Sequence, residues 1–231
     1  MQNHIIPPPQ RQHADIWQIA LTPPANDPDD LLALLDNEET ARYQQLHHKH
    51  KSRYLLSHVA CRQILSRYTQ LAASEIVYRK NDYGKPYLNH NSPIRFNLSH
   101  SHNLAVIAIS AHAEIGVDLE YMERKNDWAK LARRFFSAEE IEDLFQQQQE
   151  NQRTRFFQLW TRKEAFIKAL GSGLSTPLNT FNVCTNPVTE LLAAANNKPD
   201  WYHQDLEISA PYQASLIQCT PIEKIRYYSY P

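Results

Sequence analysis

Residues 14–21 (ADIWQIAL) form a short apolar run that suits a strand. From Asp29 to about Gln70 the spacing changes. In DDLLALLDNEETARYQQL and HKSRYLLSHVACRQILSRYTQL apolar residues recur every three or four positions, the period of a half-buried helix. Strand-like stretches return at 76–79, 94–99 (IRFNLS) and 104–110 (LAVIAIS), with a turn predicted at NDYGKP.

The second half repeats this order. Residues 115–120 (IGVDLE) read as a strand, and helices are predicted at about 127–135, 138–148 and 152–170. Strands follow near 180–184, 205–209, 212–219 and 224–230. Ser137 and Glu140 make the capping-box pattern that opens the helix SAEEIEDLF. The matched order predicts an α+β fold of two similar α/β halves, 1–110 and 111–231. Arg53-Tyr54-Leu55 and Arg155-Phe156-Phe157 echo one another in the same sense. A ligand cleft is expected where the halves meet. Residues 1–13, with prolines at 7–9, are expected to form a loose arm.

Charge narrows the classes of function. The chain has 231 residues, with 24 basic against 25 acidic and a formal net charge of −1. That balance disfavours a general nucleic-acid binder, whose affinity rests on a basic excess. Cys61, Cys184 and Cys219 are dispersed and odd in number, which disfavours a disulfide framework or structural zinc. No basic, apolar leader opens the sequence, and no run of about 18 apolar residues occurs. A soluble, cytoplasmic protein is expected.

Three clusters carry candidate chemistry. In GVDLE, Asp118 and Glu120 stand two apart on a strand, about 6.6 Å along the chain and on one face. Two carboxylates so placed repel each other and call for a cation, and hard oxygen ligands favour Mg²⁺ over zinc. In WTRKEAFIKAL, Glu164 and Lys168 are four apart, about 6 Å along a helix axis and on one face. Such a pair is usually a surface salt bridge, but bulky apolar neighbours place this helix half inside, with Gly171 and Gly173 at its end. In YGKPYL and FNLSHS, Lys85 and Pro86 follow a turn, and Ser99 and His100 follow a strand. A loop there could present a hydroxyl and an imidazole to a phosphate. His47, His48 and His50 lack metal-ligand spacing and read as a solvated basic helix end. Acids with a lysine also build metal-dependent nucleases and phosphohydrolases. In those the lysine usually follows an acid by two residues on a strand, whereas Met122 follows Glu120 here.

In their order, GKPYL, FNLSHS, GVDLE and WTRKEAFIKALGSGL resemble the 4′-phosphopantetheinyl transferases of the surfactin-synthetase-activating, Sfp-like type. The resemblance covers about residues 53–174. It implies two halves related by a pseudo-twofold axis, with the site between them and the metal on the second. It further implies transfer of the 4′-phosphopantetheine group from coenzyme A to a serine of an apo acyl- or peptidyl-carrier protein, with release of 3′,5′-adenosine bisphosphate. Asp118, Glu120 and Glu164 would hold Mg²⁺. Lys168 would stand at the diphosphate and Glu164 would serve as general base. Ser99 and His100 would touch coenzyme A phosphates, Arg53 the 3′-phosphate, and Lys85 with Pro86 the nucleotide, with Lys80 nearby. Family members carry basic residues ahead of the first long helix, where this chain has no clear lysine pair. A monomer is expected, because two internal halves make a dimer unnecessary.

Overall fold

Strands that are apolar on both faces need cover on both sides, and the chain supplies it in four layers. The computed structural model describes residues 5–22, 28–88, 92–190 and 199–231. A first sheet holds β1 (His13–Ala20), β4 (Ile94–Ser101), β5 (Leu104–Ala111) and β11 (Lys224–Tyr230), in the order β11-β1-β5-β4. A second holds β6 (Ile115–Tyr121), β9 (Tyr202–Asp205) and β10 (Tyr212–Gln218), in the order β6-β10-β9. Two small hairpins, β2 (Tyr78–Lys80) with β3 (Pro86–Leu88) and β7 (Phe181–Asn182) with β8 (Thr189–Glu190), flank them.

Strand alternation assigns the faces. Trp17, Ile19, Ile107 and Ile109 of the first sheet pack with Ala60, Ile64 and Leu65 of helix α3 (His48–Thr69). The opposite face, with Ile16, Val106 and Ala108, meets Val117, Leu119 and Leu216 of the second sheet. The far side of that sheet packs against α6 (Gln149–Leu170), where Ile217 joins Phe157, Phe166 and Ala169. The layers therefore run α3, sheet, sheet, α6.

The repeated order in the sequence becomes a repeated topology. In β1–α3–β4–β5 and in β6–α6–β9–β10 the first strand pairs with the last, and the last with the one before it. β11 then crosses back and lies parallel to β1. The helical stretch from Asp29 divides into α1 (Pro28–Leu32), α2 (Asn37–Gln45) and α3. Asp36 and Glu39 cap α2 reciprocally, and both also bind the fully buried Arg62 of α3, at 2.6 Å each. In the second half α4 (Trp128–Phe135) and α5 (Ala138–Gln146) precede α6. The capping box at Ser137 and Glu140 is present. Among the described residues no helix is long and apolar enough to cross a membrane.

Two expectations are corrected. The strand predicted at 205–209 lies at Tyr202–Asp205 instead. Leu206 and Ile208 suggest alternation, but they plug the core from a turn while the polar YHQD segment pairs with β10. The arm is not loose over residues 5–12. Ile6 N–H donates to the Arg67 carbonyl at 2.9 Å, and the Pro7 carbonyl accepts from Arg226 at 3.2 Å. Residues 1–4 lie outside the described residues.

Candidate active site

Gly116 brings α6 onto β6. A Cβ at this position would stand 2.1 Å from the Ala165 carbonyl oxygen and 2.4 Å from the Ala169 nitrogen. Only a bare α-carbon tolerates that approach. The contact sets the Glu164–Lys168 face of the helix beside Asp118 and Glu120. Lys168 Nζ donates to Asp118 Oδ1 at 2.6 Å and to Ser99 Oγ at 2.9 Å. Gly171 closes α6 in the left-handed conformation, φ 66°.

β4 and β6 are edge strands of different sheets, and no backbone ladder joins them. Side chains of β4 do so instead. Asn97 Oδ1 accepts from Val117 N–H at 2.9 Å, Ser99 Oγ from Leu119 N–H at 3.2 Å, and Ser101 Oγ from Tyr121 N–H at 3.0 Å. The two-residue period of FNLSHS is thus a comb that satisfies the free edge of β6. The same hydroxyls donate onward, Ser99 to Asp118 at 3.0 Å and Ser101 to Glu120 at 3.3 Å. Each serine uses its one proton on a carboxylate and its lone pairs on donors.

Ser99 and His100, expected in a loop after the strand, instead lie within β4, paired with Val106 and Ala105 of β5. His100 alternates to the other side of the strand, toward α3. There burial first, then the positive charges of His58, Lys168, Arg53 and His50, push its imidazole pKa down. Arg53 reaches Asn103 Oδ1 at 3.4 Å on an exposed surface. The site therefore has two charged compartments. One holds the three carboxylates and Lys168. The other holds the Arg53 guanidinium among the imidazoles of His50, His58 and His100.

Burial first, then Asp118, raises the Glu164 pKa to about 7, with Lys168 opposing. Burial and Asp118 raise Glu120 as well, opposed by Arg124. Asp118 Oδ2 is buried and has no hydrogen-bond partner. A buried, orphaned carboxylate oxygen beside two mutually repelling acids is the kind of oxygen that a hard divalent cation can take as a ligand. Among the described residues no group of three His, Cys, Asp or Glu is already gathered to hold a metal. Asp118 is engaged by Lys168, and Glu120 by Arg124 at 3.0 Å.

The other predicted residues are placed differently. Lys85 turns inward. Its ammonium donates to Glu114 at 3.0 Å and to the carbonyls of Ala169 and Ile115 at 2.7 and 3.2 Å, and burial lowers its pKa. Pro86 lines a pocket with Gly84, Tyr54, His58, Tyr78 and Lys80, and Lys80 is paired with Glu38. His47, His48 and His50 are exposed, and His47 caps α3. Trp160 packs against Phe135 and Phe156, at 5.9 and 5.7 Å between ring centroids.

Sequence reasoning missed Asn97, Ser101 and Arg124. It also read only two residues of WTRKEAFIKAL for chemistry, although most of the motif is structural. Thr161 bonds Ser215 at 2.8 Å, Arg162 grips Asp205 through two bonds, and the fully buried Lys163 pairs with Glu140 at 2.7 Å. The alternation of small polar residues in FNLSHS was the available signal for the comb. Nothing local marked Arg124.

Residues 21–112 match the family described as 4′-phosphopantetheinyl transferase, N-terminal, and residues 114–217 the 4′-phosphopantetheinyl transferase superfamily. Among curated relatives, 4′-phosphopantetheinyl transferase HetI of a Nostoc species is 34% identical over 190 residues, which span 77% of this chain and 80% of that protein. The transferase Sfp of Bacillus subtilis is 35% identical over 153 residues, 66% of this chain and 67% of its own length. The transferase gsp of Aneurinibacillus migulanus is 34% identical over 163 residues, 71% and 67% of the two chains. Two family matches that together run from the first strand's end to β10, and relatives aligned over most of their length, lead to one conclusion: the chain belongs to the 4′-phosphopantetheinyl transferase family and is an enzyme of that type.

Proposed function

We propose that the enzyme takes its 4′-phosphopantetheine group from coenzyme A, transfers it to a serine of an apo acyl- or peptidyl-carrier protein, and releases 3′,5′-adenosine bisphosphate. The observation that carries this reading is the pair of compartments on either side of β4. Coenzyme A bears two separate phosphate centres, a diphosphate and a 3′-phosphate monoester, and a site with two charged compartments suits both. The carboxylate–lysine compartment takes the diphosphate. Arg53 and His100 take the 3′-phosphate by charge-assisted hydrogen bonds.

Asp118, Glu120 and Glu164 would hold Mg²⁺, and the orphaned Asp118 Oδ2 supports that assignment. When bound, the ion neutralises charge on the phosphoryl oxygens. Lys168 stands ready for the diphosphate, and Ser99 orients both Lys168 and Asp118. Pro86 and its neighbours bound the nucleotide, with Lys85 acting from inside to fix the turn that presents them. The site lies at the junction of the halves 1–110 and 111–231, and one chain supplies all of it, as a monomer would.

The carrier serine oxygen attacks the pantetheine-side phosphorus. A phosphorus–oxygen bond forms there as the bond to adenosine bisphosphate breaks. The serine proton passes to Glu164, directly or through a water. A base with a pKa near neutrality is well matched to that transfer. The test is incubation with coenzyme A, Mg²⁺ and a panel of apo-carriers, with products read by mass. A carrier gaining one phosphopantetheine, with loss of the gain in chelator, is expected. No gain on any carrier, while control transferases modify the same panel, would overturn the reading.

A further inference from the structure

We propose that Arg124 is a placeholder for the divalent cation: it holds Glu120 in the metal-free enzyme and leaves when the ion binds. The inference rests on the assignment of Asp118, Glu120 and Glu164 to the metal. In their present arrangement those acids are not gathered around a common point among the described residues. Two of them each face a basic side chain, Asp118 with Lys168 at 2.6 Å and Glu120 with Arg124 at 3.0 Å. A divalent ion arriving among the acids would stand close to both cations. Like charges at such separations repel strongly, most of all where water is scarce. Exchange is the arrangement without that repulsion.

The surroundings of Arg124 suit a side chain that must move while its backbone stays. Arg153 of α6 fixes the turn. Its Nε donates to the Met122 carbonyl at 3.0 Å, and its Nη2 donates to the Arg124 carbonyl at 2.8 Å. The Arg124 side chain is 40% exposed, whereas its partner Glu120 is 13% exposed. Beside it lies an open basin lined by Glu123, Lys125, Asn126, Asp127 and Arg153. The resting position is also imperfect, because Arg124 Nε is buried without a hydrogen-bond partner. A guanidinium that swings into the basin regains water at that nitrogen. Ser101 remains on Glu120 Oε2, so the carboxylate keeps its aim when the guanidinium goes.

Manganese is the probe for affinity. Mn²⁺ is titrated by calorimetry, without coenzyme A, into the wild type, Arg124→Gln and Asp118→Ala. Arg124→Gln is expected to bind about two- to fivefold more tightly, the scale of a half-exposed ion pair. In parallel, the Arg124 Nε–H resonance of the wild type is followed by NMR during Mg²⁺ titration. It is assigned by its absence from Arg124→Gln or, should that variant not fold, from Arg124→Lys. It is expected to move to the position of a free arginine as the site saturates. Unchanged or weaker Mn²⁺ binding by folded Arg124→Gln, or a resonance that stays put at saturation, overturns the placeholder role. Asp118→Ala binding Mn²⁺ as the wild type does would instead overturn the metal assignment itself.

Discussion

Glu164 lies one helical turn from Lys168 and beside Asp118; burial first, then Asp118, raises its pKa to about 7, against the opposing pull of Lys168. Glu164→Gln keeps the shape and removes both the charge and the basicity. Transfer to a carrier is expected to fall by at least about 10²–10⁴-fold, the usual contribution of a general base. The melting temperature should hold or rise, since a buried acid is relieved. Near-normal turnover by mass spectrometry would return the pair to an ordinary helical salt bridge. Arg53→Ala is expected to weaken coenzyme A, by about 1.5–3 kcal/mol, more than 3′-dephospho-coenzyme A. Equal losses for both ligands in calorimetry would separate Arg53 from the 3′-phosphate. Spacing made the DxE pair and the helix glutamate and lysine legible, because two and four residues are the strand and helix repeats. It could not reveal the comb of Asn97, Ser99 and Ser101, whose partners are backbone N–H groups of a strand in another sheet. Nor could it show that the Lys85 ammonium is spent on Glu114 and two carbonyls.

The contact between β6 and α6 rests on a single missing methyl. Gly116→Ala puts a Cβ against the Ala165 carbonyl and the Ala169 nitrogen, and the helix backbone cannot yield as a side-chain tip would. A loss of more than about 3 kcal/mol, or failure to fold, is expected from such overpacking. Denaturant midpoints near wild type would show that α6 can shift. On β9, burial first and then the Arg162 guanidinium push His203 down to about 4 from its ordinary 6.5. Between those values the unfolded chain takes a proton that the folded chain refuses. Stability therefore falls as pH drops through that window and is untouched above it. His203→Gln should flatten the fall between pH 6.5 and 4 in urea melts, and identical slopes would remove His203 as its cause. The long, strongly periodic elements, α3, α6, β5 and β6, were readable from pattern alone. β9 was not, because its pairing residues are polar and the apolar pair beside it serves a turn.

Across the whole molecule, two sheets packed face to face between two long helices join residues far apart in the sequence. Asp15 of β1 is fully buried. It receives two bonds from Arg226 of β11, at 2.6 and 2.8 Å, and one from Tyr68 of α3 at 2.7 Å. Arg226→Met leaves a buried carboxylate with only the tyrosine hydroxyl. A loss of about 3 kcal/mol in denaturant melts is expected, the lower end for breaking one side of a buried pair. Tyr68→Phe should cost less, about 1–2 kcal/mol. A negligible loss in Arg226→Met would mean that Asp15 is served by water. The repeated order of elements was visible in the sequence. The return of β11 to the first sheet was not, since nothing local distinguishes a strand that pairs nearby from one that crosses the molecule.

That return has a consequence for how the protein is made. β1, β4 and β5 are synthesised early, but the parallel neighbour of β1 comes about 110 residues after β5 ends. At synthesis rates of about 5–20 residues per second, the gap is on the order of ten seconds. During that interval the nascent first sheet has an open edge at β1, and Asp15 lacks its cation. An unpaired strand edge is a template for pairing with another chain. On the ribosome, the early half therefore presents that open edge until residues 224–230 are available to pair with β1.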